Sequence, residues 1–169
     1  HIIIGEKYRN KYENPLKIKG FTPFWLPENT DLDQRLSSHA DLSVFVYDKK
    51  AIIAASVKND TLVNLLTNGG YEVFTANRRQ DMDYPHDVNL CAAVIDGYLF
   101  HNLNFTDKAI LENIDLKRLH INQGYARCTS LIFKSSIITS DRGVAAVAER
   151  YGFDLLMISS GGIILEGFN

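Results

Sequence analysis

The chain has 169 residues, 46% of them hydrophobic, 11% aromatic and 22% charged, enough apolar side chain to bury one core. With 18 Lys+Arg against 20 Asp+Glu the formal net charge is −2, so no basic surplus exists for phosphate backbones or anionic membranes, and nucleic acid is not an expected partner. No apolar run approaches the roughly 20 residues that span a bilayer, which rules out membrane insertion.

The N-terminal 40 residues supply one apolar strand, Ile2-Ile3-Ile4, and an aromatic stretch, Phe21-Thr22-Pro23-Phe24-Trp25-Leu26-Pro27, that fits no simple element and reads as core or a cover over it. From Asp41 onward a strand, turn, strand, helix, strand pattern occurs three times. The first copy runs Leu42 to Tyr47, turns at Asp48-Lys49-Lys50 and returns as Ala51 to Ala55. Asn59 or Asp60 caps a helix through Leu62, Val63, Leu65 and Leu66, which stops at Gly69-Gly70 before the strand Tyr71 to Thr75. Asn77 to Pro85 reads as a polar loop.

The second copy opens at Asp87 with a strand from Val88 to Ile95, turns at Asp96-Gly97 and returns through Tyr98-Leu99-Phe100. Its helix is expected to be capped by Thr106 and to carry Ala109, Ile110 and Ile114, ahead of the strand Arg118 to Ile121. The third copy pairs Thr129 to Phe133 with Ile137 to Thr139. Ser140 or Asp141 caps a helix carrying Val144, Val147 and Ala148, and the strand Asp154 to Ile158 follows. These are modules near 41–76, 87–122 and 128–159 of a single domain, 1–169. A partial fourth begins at Ile163-Ile164-Leu165, and its unpaired edge leads to the expectation of a homodimer. A first residue of His1 rather than Met, and a module that stops short, are what a processed chain or a fragment would show.

A repeat of this kind resembles the pentein fold of the guanidino-group-modifying enzymes, an α/β propeller of ββαβ modules, here incomplete at the C-terminus. Ser38-His39-Ala40-Asp41, Gln123-Gly124-Tyr125-Ala126-Arg127-Cys128 and Ile138-Thr139-Ser140-Asp141 are similar to phrases of an uncharacterised bacterial family of that fold. The resemblance implies a hydrolase or transferase acting on a C–N bond of a guanidino or amidino compound. It equally admits a non-catalytic member docking on a protein or ribosomal partner, or one that binds a ligand without turnover.

Guanidine chemistry needs a thiolate to attack the guanidinium carbon, an imidazole to carry protons and carboxylates to grip the planar cation. The resemblance assigns Cys128 as nucleophile and His39 as acid/base, with Asp41, Asp87, His86 and Asp141 as binding residues. His86 offers a second proton carrier. Asp41, Asp87 and Cys128 each enter the first hairpin strand of a module, so pseudo-rotation would bring them around one axis into a shared pocket. Each also has a plainer reading. Cys128 fits as a small core residue, Asp41 and Asp87 as turn caps, His39 as a structural histidine and Asp141 as a helix cap. Cys91 reads as core within its strand. The only neighbours near Cys128 that would activate its thiol are His39 and Arg127.

The His and Cys residues show no C-x-x-C or H-x-x-x-H spacing, so no metal is expected. No glycine-rich phosphate motif is present and no cofactor is expected. Two cysteines make no disulfide framework and nothing at the start reads as a signal peptide, so the expected setting is a reducing cytoplasm with both thiols free.

Overall fold

A computed structural model of the chain describes residues 2–161. The expected strand at 163 lies outside them, as does the edge from which a homodimer was inferred. Three ββαβ modules stand as separate three-stranded sheets in chain order. The first is β3 (Val44–Tyr47), β4 (Lys50–Ile53), α3 (Asp60–Asn68) and β5 (Glu72–Thr75); the second is β6 (Ala93–Ile95), β7 (Tyr98–His101), α4 (Lys108–Asn113) and β8 (Lys117–His120); the third is β9 (Ser130–Phe133), β10 (Ser136–Thr139), α5 (Arg142–Arg150) and β11 (Asp154–Met157). In each, the hairpin is antiparallel and the strand after the helix pairs parallel with the hairpin's second strand. The N-terminal segment is a parallel pair, β1 (Ile2–Gly5) and β2 (Pro23–Leu26), joined through α1 (Arg9–Ile18). The aromatic stretch thus becomes β2 and completes a strand, helix, strand unit.

Two-residue turns set the first two hairpins. Asp96 and Gly97 both have positive φ, and so do Asp48 and Lys49, the geometry that matches strand twist. Asn59 caps α3 by accepting the Leu62 amide, and Asp141 caps α5 by accepting the Val144 amide. Thr106 does not cap α4; Asp107 does. The Asp107 carboxylate is fully buried, and it accepts from the backbone amides of Asn77, Arg78 and Ala109 and from the Asn89 side chain. A carboxylate has four lone-pair sites to fill where a hydroxyl has two, which makes Asp107 the better centre for a junction of loop and helix.

The first two sheets are each covered by the helix of the module that follows. The register row Phe45, Ile52 and Phe74 belongs to one apolar cluster with Ala109, Ile110 and Ile114 around α4. The matching row Ala93, Phe100 and Leu119 clusters with Val144 and Ala148 of α5. In the third module the same row is Leu131, Ile138 and Leu156. Among the described residues nothing covers it, and Leu131, Phe133 and Leu156 are 68%, 71% and 56% exposed.

Two expected strands start too early. Ala40–Ser43 is a short helical turn, α2, rather than the start of β3, and Val88 to Ala92 is an irregular turn rather than part of β6. Leu42 and Ser43 of the first segment and the whole of the second are buried, so they carry the apolar composition of a strand without its geometry. No described helix is long and apolar enough to cross a membrane.

Because Ile110 fills the seam between two modules, Ile110→Ala is expected to cost about 2–5 kcal/mol by the urea midpoint. Ile18→Ala, at a side chain 83% exposed on α1, is expected to stay within about 0.5 kcal/mol.

Candidate active site

The corrected hairpins change which residues correspond between modules. Counted back from the last paired residue of each first strand, Tyr47, Ile95 and Phe133, the equivalent positions are His39, Asp87 and Tyr125. Asp41 then matches Asn89 and Arg127, so Asp41, Asp87 and Cys128 are not symmetry mates. Asp41 and Cys128 nevertheless meet. The Cys128 thiol donates to Asp41 Oδ2 at 2.7 Å, and ligand atoms of His39, Asp41 and Cys128 all lie within 4.8 Å of one another.

Cys91 joins them. Placed at the end of an irregular turn instead of inside a strand, it remains fully buried, yet its sulfur lies 3.5 Å from Cys128 Sγ and 3.9 Å from Asp41 Oδ2. The backbone fixes the pairing, since the Arg127 amide donates to the Cys91 carbonyl at 3.1 Å. Cys128 is exposed as a residue, but its sulfur faces inward to these partners. The adjoining Cys91 thiol, burial of the sulfur and the Asp41 carboxylate all push the Cys128 thiol up. A resting site of this kind holds a protonated thiol.

The other binding candidates lie elsewhere. Asp87 is 1% exposed, accepts the Tyr125 hydroxyl on Oδ2, and lines neither cavity described below. Burial pushes its carboxyl up, and that hydroxyl opposes the shift. His86 is exposed, with Nδ1 3.3 Å from Asp81 Oδ2. Asp141 caps α5 through Oδ1 and accepts from Gln123 Nε2 at 2.8 Å through Oδ2, so it steadies the loop that leads to Cys128.

Two cavities meet at Asp41, Val46 and Arg127. One, of about 760 Å³, is also lined by Ile3, Tyr8, Ser38, His39 and Tyr71. The other, of about 530 Å³, runs along β3, β6 and β9. The segment leading to Cys128 is held by His101. His101 is buried, with Nε2 2.7 Å from the Gly124 carbonyl and Nδ1 2.7 Å from Thr106 Oγ1. A carbonyl only accepts, so Nε2 carries the proton and Nδ1 accepts the hydroxyl. Gly124 has no room for a side chain: a Cβ there would stand 2.8 Å from both the Tyr84 ring and Val88.

The model of the "Family of unknown function (DUF6873)" matches residues 3–169. No curated protein matches the chain by sequence. Among solved structures it is similar to a dimethylarginine dimethylaminohydrolase adduct with S-methyl-L-thiocitrulline, at 12% identity and TM-score 0.60, covering 94% of this chain and 64% of that one. It is also similar to DDAH from Pseudomonas aeruginosa complexed with citrulline, at 15% identity and TM-score 0.52, covering 90% and 64%. These likenesses show a shared pentein fold, and the chain spans just under two thirds of either neighbour's length.

Two outcomes follow from the site's electrostatics. Removing the carboxylate in Asp41→Asn is expected to speed iodoacetamide labelling of Cys128 at pH 7.5 by roughly tenfold, one pKa unit of thiolate, measured by mass spectrometry. Burial pushes His101 down to about 4 from its ordinary 6.5, so the unfolded chain takes up this proton before the folded one does. Stability from His101 is therefore full above about pH 6.5 and declines toward pH 4, by up to about 3 kcal/mol. Urea midpoints across that window are expected to fall less steeply in His101→Gln.

Proposed function

This chain belongs to the DUF6873 family, and we propose that it acts on a C–N bond of a guanidino or amidino compound through cysteine nucleophilic catalysis. The observation that carries the reading is the convergence of the His39, Asp41 and Cys128 donor atoms, from positions far apart in the chain, with His39 and Asp41 lining a cavity large enough for a small ligand. Likeness to a dimethylarginine dimethylaminohydrolase supports the substrate class.

In this reading the guanidinium pairs with Asp41 through two N–H donors. A bound cation supplies the positive charge that the resting site lacks. It offsets the Asp41 field, lowers the Cys128 thiol and lets His39 take the thiol proton. The thiolate then forms a C–S bond to the guanidinium carbon, and His39 returns that proton to the departing amine as the C–N bond breaks. Water attacks the same carbon, His39 accepts its proton, and the C–S bond breaks to release the product and restore the thiol. An amine in place of that water makes the reaction a transfer. A reducing cytoplasm suits this chemistry because it keeps both thiols reduced.

A second reading, ligand binding without turnover, is favoured by the raised Cys128 thiol. The two separate in one experiment, in which arginine, methylated arginines, agmatine and amidines are assayed for release of amine or ammonia with parallel calorimetry. Catalysis is expected to fall to background in Cys128→Ser and by roughly 10²–10⁴ in His39→Gln, with binding lost in Asp41→Asn. Binding that survives Cys128→Ser, with no turnover in the natural sequence, establishes the second reading.

A further inference from the structure

Hydrolysis uses one thiol, and the site contains two. Cys91 is buried beneath Cys128, and its sulfur lies 3.5 Å from Cys128 Sγ and 3.9 Å from Asp41 Oδ2. His39 stands beside Asp41 and Cys128, and Cys91 stands beside the same two, so two sulfurs and a carboxylate oxygen meet and the imidazole approaches them from the larger cavity. Sequence spacing gave no hint of this set, because it is gathered from the approaches to three different hairpins.

Zinc binds tetrahedrally at about 2.3 Å from sulfur and 2.0–2.2 Å from nitrogen or oxygen, which sets neighbouring donors about 3.4–3.8 Å apart. The two sulfurs already stand 3.5 Å apart, and Cys91 Sγ to Asp41 Oδ2 is 3.9 Å. The 2.7 Å contact between Cys128 and Asp41 must open by under about 1 Å to join that set. The main chain pre-arranges the cysteines through the bonds from the Cys91 amide to the Val88 carbonyl and from the Arg127 amide to the Cys91 carbonyl. An ion has a path in, because both His39 and Asp41 line the larger cavity.

We infer that Cys91, Cys128, His39 and Asp41 form a four-ligand site for a borderline-soft divalent cation, zinc. Thiolate and imidazole ligands select zinc over magnesium or calcium, which prefer oxygen. Two thiolates and a carboxylate leave the zinc complex with one negative charge, and Arg127 lies beside Asp41 in both cavities to offset it. Each thiol gives up one proton on binding, so two protons leave as the ion enters. Four protein ligands leave no position for a reactive water, so the loaded site is closed. Its effect on activity rests on the catalytic reading above: zinc occupies both Cys128 and Asp41, and the metal-bound protein does not turn over. The binding itself is independent of that reading.

The test titrates reduced, metal-free protein with Co²⁺ and then Zn²⁺. One equivalent of Co²⁺ is expected to give the intense visible bands of a tetrahedral site with sulfur-to-cobalt charge transfer. Zn²⁺ should displace it and shield both cysteines from alkylation. Cys91→Ser is expected to weaken zinc by at least about tenfold and to reduce the charge-transfer band. His39→Gln, at a half-buried position, should weaken zinc by a similar factor while keeping the sulfur band. The weak bands of an octahedral ion, or zinc affinity unchanged in both variants, would overturn the site. Turnover in metal-free protein without cobalt–sulfur bands defeats the metal site alone, and the bands without turnover defeat the catalytic reading alone.

Discussion

The setting of the Asp41 turn against the turn that leads to Cys91 depends on one buried amide. Gln80 donates through Nε2 to the carbonyls of Leu42 and Asp87 and accepts through Oε1 from Asn29. Asn29 in turn donates to Ser43 and accepts from Ser56 and from the Asp31 amide. The turn that carries Asp41 and the turn that leads to Cys91 are irregular, and neither has a partner strand to set its position. A primary amide with two donors and one acceptor fixes the distance between two carbonyls in a way that apolar packing does not. The contact between Asp41 and the cysteines is thus built on a polar seam inside an otherwise apolar junction.

How far the chain could be read in advance depended on what each segment had to do. Asp96-Gly97, Asn59 and Asp141 each perform a local task with a local signal, and each appears where expected. Thr106 and Asp107 are adjacent and both suited to capping; the choice was made by Asn77, Arg78 and Asn89, remote donors that need a carboxylate. Val88 to Ala92 misled because a buried turn and a buried strand have the same composition. That error hid Cys91, and it shifted the correspondence between modules by two residues, which is why Asp87 was grouped with Asp41. The pairing of His39, Asp41 and Cys128 was legible from the phrases that carry them. The second thiol was not, since only the tertiary fold brings it in.

The two proposed occupants of the site answer the same electrostatic need. A carboxylate and two sulfurs face each other, and the exposed Arg127 lines the same cavity as the carboxylate. A planar guanidinium and a divalent metal ion both supply the missing charge, one by hydrogen bonds and the other by coordination. They differ in what happens to Cys128: the first frees its sulfur to attack, the second ties it down.

The covering of the first and second sheets by the next module's helix gives the protein a direction. Interactions run between neighbours along the chain, as in a linear array, so local order is set by the number of sides on which a unit is enclosed. Among the described residues, the outer row of the third unit, Leu131 and Leu156, is left uncovered. Cys128 sits at that unit's threshold, while Asp41 belongs to the well-covered first unit. Because Cys128 and Asp41 belong to different units, any loosening between the first unit and the third parts the sulfur from the carboxylate before either unit has to unfold.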